Sequence, residues 1–154
     1  MIRPATLEDI VHVGNTMWER GKEELGWLGV SPWLWFEGFK TRINRGDAVA
    51  FGNPGEPHAV LGWDWDMHPN ICCTSFQASK SFELPGVGKQ VTKALRREIP
   101  RLMEETRALE CHVYSLCVDP GAPKWFRLLG FHESTQYKGP QRGPYHMRRF
   151  VRRA

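Results

Sequence analysis

Pro85-Gly86-Val87-Gly88 leads straight into a helical pattern from Lys89, and this junction is the first place in the chain where residue type and spacing imply chemistry. Two glycines two residues apart let backbone N–H groups approach a ligand closely, and the helix start beyond them offers unpaired donors at the positive end of a dipole. The chemistry is anion binding, most often of phosphate, although the same spacing also serves ordinary turns. Cysteine gives a weaker signal. Cys72, Cys73, Cys111 and Cys117 contain no C-x-x-C pair, and two adjacent cysteines on a strand face opposite ways, so reduced core thiols are expected. His68 with Cys72, or Cys111 with His112, lacks the spacing of a zinc site, and no metal is expected.

The elements that position the glycines follow from periodicity. Ile2 to Pro4 reads as a strand. Thr6 then caps a first helix to about Arg20, and Gly21 to Gly29 reads as a loop. Ser31 and Pro32 start a second helix through Trp33, Phe36, Phe39 and Ile43. Asp47 to Gly52 and His58 to Asp66 form a hairpin around the Asn53 to Pro57 turn, and Ile71 to Ala78 is a third strand. Ser79 to Glu83 reads as a loop. Val87, Val91, Leu95, Ile99 and Leu102 give an amphipathic helix that Pro100 should kink or interrupt. Leu109 to Val118 is an apolar strand, Pro123 to Leu129 a short helix closed by Gly130, and Phe131 to Tyr137 and Tyr145 to Val151 are strands joined by a Pro/Gly-rich connection. Alternation of this kind predicts an α/β chain built on one mixed sheet, a single domain over residues 1–154.

Bulk properties exclude several classes. At 41% hydrophobic and 12% aromatic, the 154 residues can build a core, and no apolar run approaches the ~20 residues of a membrane span. With no secretory h-region after Met1, a soluble, cytoplasmic protein is expected. The net charge of +4 resides in the tail: six Lys or Arg and no acid follow Tyr137, leaving 15 basic against 17 acidic residues before it. Such a tail could meet an acidic partner or a cofactor phosphate, or be a solvated strand; nucleic acid is not the expected partner.

Element order and two short stretches resemble the GCN5-related N-acetyltransferase (GNAT) superfamily. Ile2-Arg3-Pro4-Ala5-Thr6 with Asp9 is similar to the family's opening. Glu83-Leu84-Pro85-Gly86-Val87-Gly88 keeps the glycines of its acetyl-CoA loop but has Glu83 where the family carries Arg or Gln. Asp119-Pro120-Gly121-Ala122-Pro123-Lys124-Trp125-Phe126-Arg127-Leu128-Leu129-Gly130-Phe131 matches the spacing of its later motif, and Trp125 to Phe131 is the most specific segment of the chain. The resemblance spans the whole length. A weaker one, to phage GNAT-like proteins related to internal virion proteins, keeps a binding or virion-associated role open.

The resemblance implies a mostly antiparallel sheet splayed at one parallel strand pair, with helices on both faces. Pantetheine would enter between the strand ending near Ala78 and that ending near Val118, with pyrophosphate on the amides of Gly86 to Lys89. The implied acetyl-CoA set is Gln77, Ala78, Glu83, Gly86, Val87, Gly88, Lys89, Asp119, Ala122, Lys124 and Phe126. The implied activity is acetyl transfer to an amine, on a small molecule or a protein, by direct attack; a homodimer is compatible with it. Phe126 stands where many members place a Tyr that protonates the thiolate, and Ser75 and Gln77 occupy the strand where many place a Glu. Proton removal then falls to Asp64 or Asp66, with His68 nearby, unless both carboxylates face solvent between core-facing Trp63 and Trp65. His112, Tyr114 and Ser115 border the acceptor side, and Tyr114 and Ser115 are the proton-donor candidates. Trp27, Trp33, Trp35 and Phe36 are expected to form the acceptor wall or to pack the core.

Overall fold

Local sequence starts most of the elements. In the computed structural model, which describes residues 1–154, Ile2–Pro4 forms β1 and Leu7–Asn15 forms α1. Thr6 caps α1 reciprocally: its hydroxyl accepts from the Asp9 N–H, and the Asp9 carboxylate accepts from the Thr6 N–H at 2.8 Å. Asp9 is fully buried. It also takes two Arg3 guanidinium bonds of 2.6 and 2.8 Å and the Gly55 N–H at 3.0 Å, which fastens α1 to β1 and to a distant turn.

The first helix stops short of the expected Arg20, and a second one, α2 (Glu19–Leu28), occupies the stretch expected to be a loop. Gly21 misleads the sequence reading. A Cβ there would stand 2.1 Å from Gln77 Oε1 and 2.7 Å from Trp18 Nε1, so this glycine marks a close helix–sheet approach rather than a break. Next comes α3 (Pro32–Arg45), where the Ser31 hydroxyl accepts from the Leu34 N–H at 3.1 Å, as the cap predicts.

The hairpin β2 (Ala48–Asn53) and β3 (Glu56–Trp65) and the strand β4 (Ile71–Ala78) follow the expected pattern, and a short 3-10 turn at Lys80–Glu83 replaces a loop. Helix α4 (Val87–Thr106) runs through Pro100 without interruption. The acceptor that loses its donor there belongs to Arg96, an exposed residue. Strand β5 covers only Glu110–Ser115, because the chain then leaves extended geometry and Cys117 takes φ 51. After α5 (Ala122–Leu128), Gly130 adopts φ 91 and the backbone turns into β6 (His132–Glu133). The strand expected over Phe131 to Tyr137 is cut to β6, and the one expected over Tyr145 to Val151 is split: Tyr145–His146 (β8) turns back on Gln141–Arg142 (β7) as a small hairpin before the sheet strand resumes. Four of the six basic tail residues lie in β9 (Arg148–Arg153), a sheet strand whose Arg152 donates to the Leu129 carbonyl at 2.8 Å.

Seven strands form one sheet in the order β1-β2-β3-β4-β5-β9-β6, antiparallel except at β4 and β5. That parallel pair is joined only through Ile71↔Glu110, Cys72↔Cys111 and Cys73↔His112. Beyond Cys73, β4 stays paired with β3 as far as Ala78, and β5 stays paired with β9 as far as Ser115. Each arm is thus held by its outer neighbour, and the inner edges separate with unpaired backbone groups facing one another. This is the expected splay. Phe51, Leu61, Leu95 and Phe131 pack with α4 and α5 on one face, and Ile10, Val13, Phe39 and Val60 with α1 and α3 on the other. No helix is long and apolar enough to cross a membrane.

Candidate functional site

The gap between β4 and β5 opens into a cleft of about 990 Å³, walled by α2, α3, the start of α4, and α5. At one end, Gly86 takes φ 82 and α4 starts at Val87 with no side-chain cap. The Val87 N–H is used by the Leu84 carbonyl at 3.1 Å, whereas the Gly88 and Lys89 N–H groups have no protein acceptor. A Cβ on Gly88 would press to 3.3 Å from the Phe82 carbonyl oxygen, so glycine lets the start of α4 pack closely on the Lys80–Glu83 turn. Lys89, Lys93 and Arg96 line the same end.

Aromatic side chains form the middle of the cleft. Phe76 meets Trp125 at 5.1 Å between ring centroids, Trp18 meets Phe82 at 5.2 Å, and the Trp125 indole donates to Thr92 Oγ1 at 2.9 Å. Trp18 also donates to Gln77 Oε1 at 2.8 Å, which fixes the amide of Gln77 on the cleft wall.

The residues singled out from sequence do not all converge. Gln77, Gly88, Lys89, Asp119, Ala122, Phe126, Tyr114 and Ser115 line the cleft. Gly86 and Val87 shape its rim without lining it, and Glu83 and Lys124 are exposed outside it. Ala78 is fully buried, with its carbonyl taken by the Trp18 N–H at 3.1 Å. Asp119 pairs with Arg20 and accepts the Gly121 N–H at 2.9 Å, which ties α2 to the loop before α5. Phe126 is nearly buried against Phe150, with centroids 4.7 Å apart.

Neither Asp64 nor Asp66 reaches the cleft. Asp64 accepts from Arg42 at 2.6 and 2.8 Å and from Arg45 at 2.6 Å. Burial alone would raise its carboxyl, but the two guanidinium groups outweigh it and hold the group below the usual range, which makes it a poor base. Asp66 is exposed at the β3–β4 turn, where one of its oxygens comes within 4.8 Å of Cys73 and His112. Those three atoms could hold a cation and His112 Nδ1 is unpartnered, but burial and Asp66 push the Cys73 thiol up to about 11 against the lowering pull of the Arg149 charge. The pair Cys72 and Cys111 is buried, and their mutual hydrogen bond and burial keep Cys72 a thiol. Of the four expected wall aromatics only Trp35 lines the cleft; Trp27 and Trp33 are exposed, and Phe36 packs beside the second core.

Sequence reasoning missed Glu24. Its Oε1 accepts from Ser115 Oγ at 2.7 Å and from the Leu116 N–H at 3.0 Å, placing a carboxylate from α2 on the end of β5. Burial pushes this carboxyl up against the lowering pull of those hydrogen bonds. No local signal marks Glu24, because it lies in the stretch read as a loop and its partner is 91 positions away. Tyr114 is half-buried; burial raises its phenol despite the neighbouring Arg149, so it stays protonated.

No family model matches the chain, and no curated protein matches it in sequence. Solved structures do match. Ribosomal-protein-alanine N-acetyltransferase from Brucella melitensis aligns with a TM-score of 0.69 at 14% identity, covering 100% of this chain and 99% of that one. PaiA N-acetyltransferase from Thermoplasma acidophilum, in complex with coenzyme A, aligns with a TM-score of 0.66 at 13% identity, covering 100% and 98%. An N-acetyltransferase from Staphylococcus aureus aligns with a TM-score of 0.66 at 12% identity, covering 99% and 97%. With its single parallel strand pair, its splay and these full-length likenesses, the chain has the GNAT acetyltransferase fold.

Proposed function

We propose that this single-domain protein is an acetyl-CoA-dependent N-acyltransferase acting on an amine. The observation that carries the reading is the cradle at the mouth of the splayed strands: two free backbone N–H groups at the start of a long helix, beside Lys89, Lys93 and Arg96. Backbone donors, helix dipole and side-chain cations there all favour a polyphosphate. Gly86 and Val87 set the turn that presents them, and the unpaired inner edges of β4 and β5 suit an extended amide-bearing arm. Solved proteins of this fold carry coenzyme A.

When bound, acetyl-CoA supplies a thioester carbonyl open to attack by an amine. The chain's own residues then handle protons and position. Glu24 takes the proton from the amine nitrogen, and Ser115 holds the Glu24 carboxylate in place. Tyr114, protonated on the cleft wall, is the proton donor for the leaving sulfur that Phe126 cannot be. The Trp18–Gln77 pair fixes the wall between cofactor and acceptor ends.

Isothermal titration with acetyl-CoA tests the reading. The wild-type chain is expected to bind, and Gly88→Asp, which puts bulk and negative charge into the cradle, is expected to lose binding while its circular dichroism melt stays cooperative. Unchanged affinity in Gly88→Asp would move the cofactor elsewhere. Tight binding without turnover on any amine would instead favour a non-catalytic binding or virion-associated role.

A further inference from the structure

The cleft is divided by charge. At the α4 end, Lys89, Lys93 and Arg96 belong to no ion pair. At the α2–α3 end the wall is apolar, made by Leu25, Leu28, Val30, Leu34, Trp35 and Phe39. The two cations that reach this end are already spent. Arg42 gives both its Nε and an Nη to Asp64 Oδ2, and Arg20 is paired with Asp119. What remains is one carboxylate. Glu24 Oε1 serves Ser115 and Leu116 and the Cys117 N–H also bears on the carboxylate, while none of its well-formed hydrogen bonds ends on Oε2, which is not sealed away from solvent.

A lobe with apolar walls, no free cation and one half-used carboxylate selects its ligand by simple rules. It favours a body that gains by leaving water and a cationic head that can pair with Oε2. It disfavours a carboxylate beside that head, which would lose hydration with no cation to meet it. Resting on the acetyl-transfer reading, we propose that the acceptor is a primary amine on an apolar body with no carboxylate next to the amine, its nitrogen held by Glu24 Oε2. The ammonium gives one proton to Glu24. The freed nitrogen pair forms the N–C bond as the C–S bond breaks, the departing sulfur takes the Tyr114 proton, the second proton of the nitrogen restores Tyr114 through solvent, and Glu24 returns its own to water.

The test uses the full chain, acetyl-CoA and three amines: phenethylamine, phenylalanine, which adds only a carboxylate to the same body, and spermidine, which has amines without an apolar body. We expect kcat/KM for phenethylamine to exceed that for phenylalanine by about 10- to 100-fold, the effect of one unmatched buried polar group. Spermidine is expected to be the poorer acceptor as well. Glu24→Gln should lower kcat for phenethylamine, Glu24→Asp should recover part of it, and acetyl-CoA affinity by titration should be the same in all three proteins. Preference for phenylalanine or spermidine, or an unchanged kcat in Glu24→Gln, would overturn the acceptor assignment while leaving acetyl transfer standing. Failure to bind acetyl-CoA at all would overturn both.

Discussion

Replacing Gly21 with Ala sets helix propensity against packing at the cleft wall. In an isolated helix the change would stabilise by about 1 kcal/mol, since Gly is among the poorest helix formers. Here the new methyl would stand 2.1 Å from Gln77 Oε1, 2.7 Å from Trp18 Nε1 and 2.8 Å from Trp18 Cδ1. The Gln77 amide could swing away cheaply were it free, but it is held by the Trp18 indole at 2.8 Å and by the Ala78 N–H at 3.2 Å. Overpacking a site of this kind costs about 1 to 3 kcal/mol, and the lost indole–amide hydrogen bond adds about 1 kcal/mol. Packing wins by roughly 1 to 3 kcal/mol, which lowers Tm by roughly 2 to 12 °C for a chain of this size. Gly26 in the same helix is the control, because nothing lies within 4 Å of a Cβ built there. Thermal melts of the two variants should move in opposite directions, with Gly26→Ala at or above wild type. Acetyl-CoA affinity should fall only in Gly21→Ala, where Gln77 is displaced. A Gly21→Ala protein as stable as Gly26→Ala would refute the close approach of α2 to β4 and the wall built on it.

Asp9→Asn should cost about 3 kcal/mol, since it leaves Arg3 half-paired around a fully buried site; urea denaturation reads the loss, and a change below about 1 kcal/mol would remove Asp9 from the stability argument. Burial opposes ionisation of Asp9, but Arg3 and the Thr6 and Gly55 amides prevail and hold its carboxyl below the usual range. Its stabilisation is therefore present above the unfolded value near pH ~4 and is lost as pH falls through the lower folded value, so the acid limb of the wild-type stability curve should be steeper than that of Asp9→Asn. Phe126→Tyr is expected to raise turnover where the phenol reaches the sulfur, by less than the ~10²-fold of a sole general acid because Tyr114 already serves it. Lower stability with unchanged turnover would assign the ring to the core it shares with Phe150.

What the sequence determined by itself lies within a few residues of chain. The Thr6 and Asp9 cap, the Ser31 and Pro32 start, the Gly86 turn into α4 and the α5–Gly130 stop are readable because the hydrogen bonds that define them join residues at most four or five positions apart, and the β2–β3 hairpin because its turn, Asn53↔Glu56, is equally local and sets the register of the rest. Tertiary structure decided the rest. Gly21 looks like a chain break until Gln77, 56 positions on, is packed against it. Asp64 looks like a base until Arg42 and Arg45 close on it. Glu24 looks like one more charge on a polar segment until the sheet delivers Ser115 to its side. In each case the function of a side chain depends on its electrostatic and steric surroundings. Those surroundings come from elements that only the folded sheet and its helices bring together.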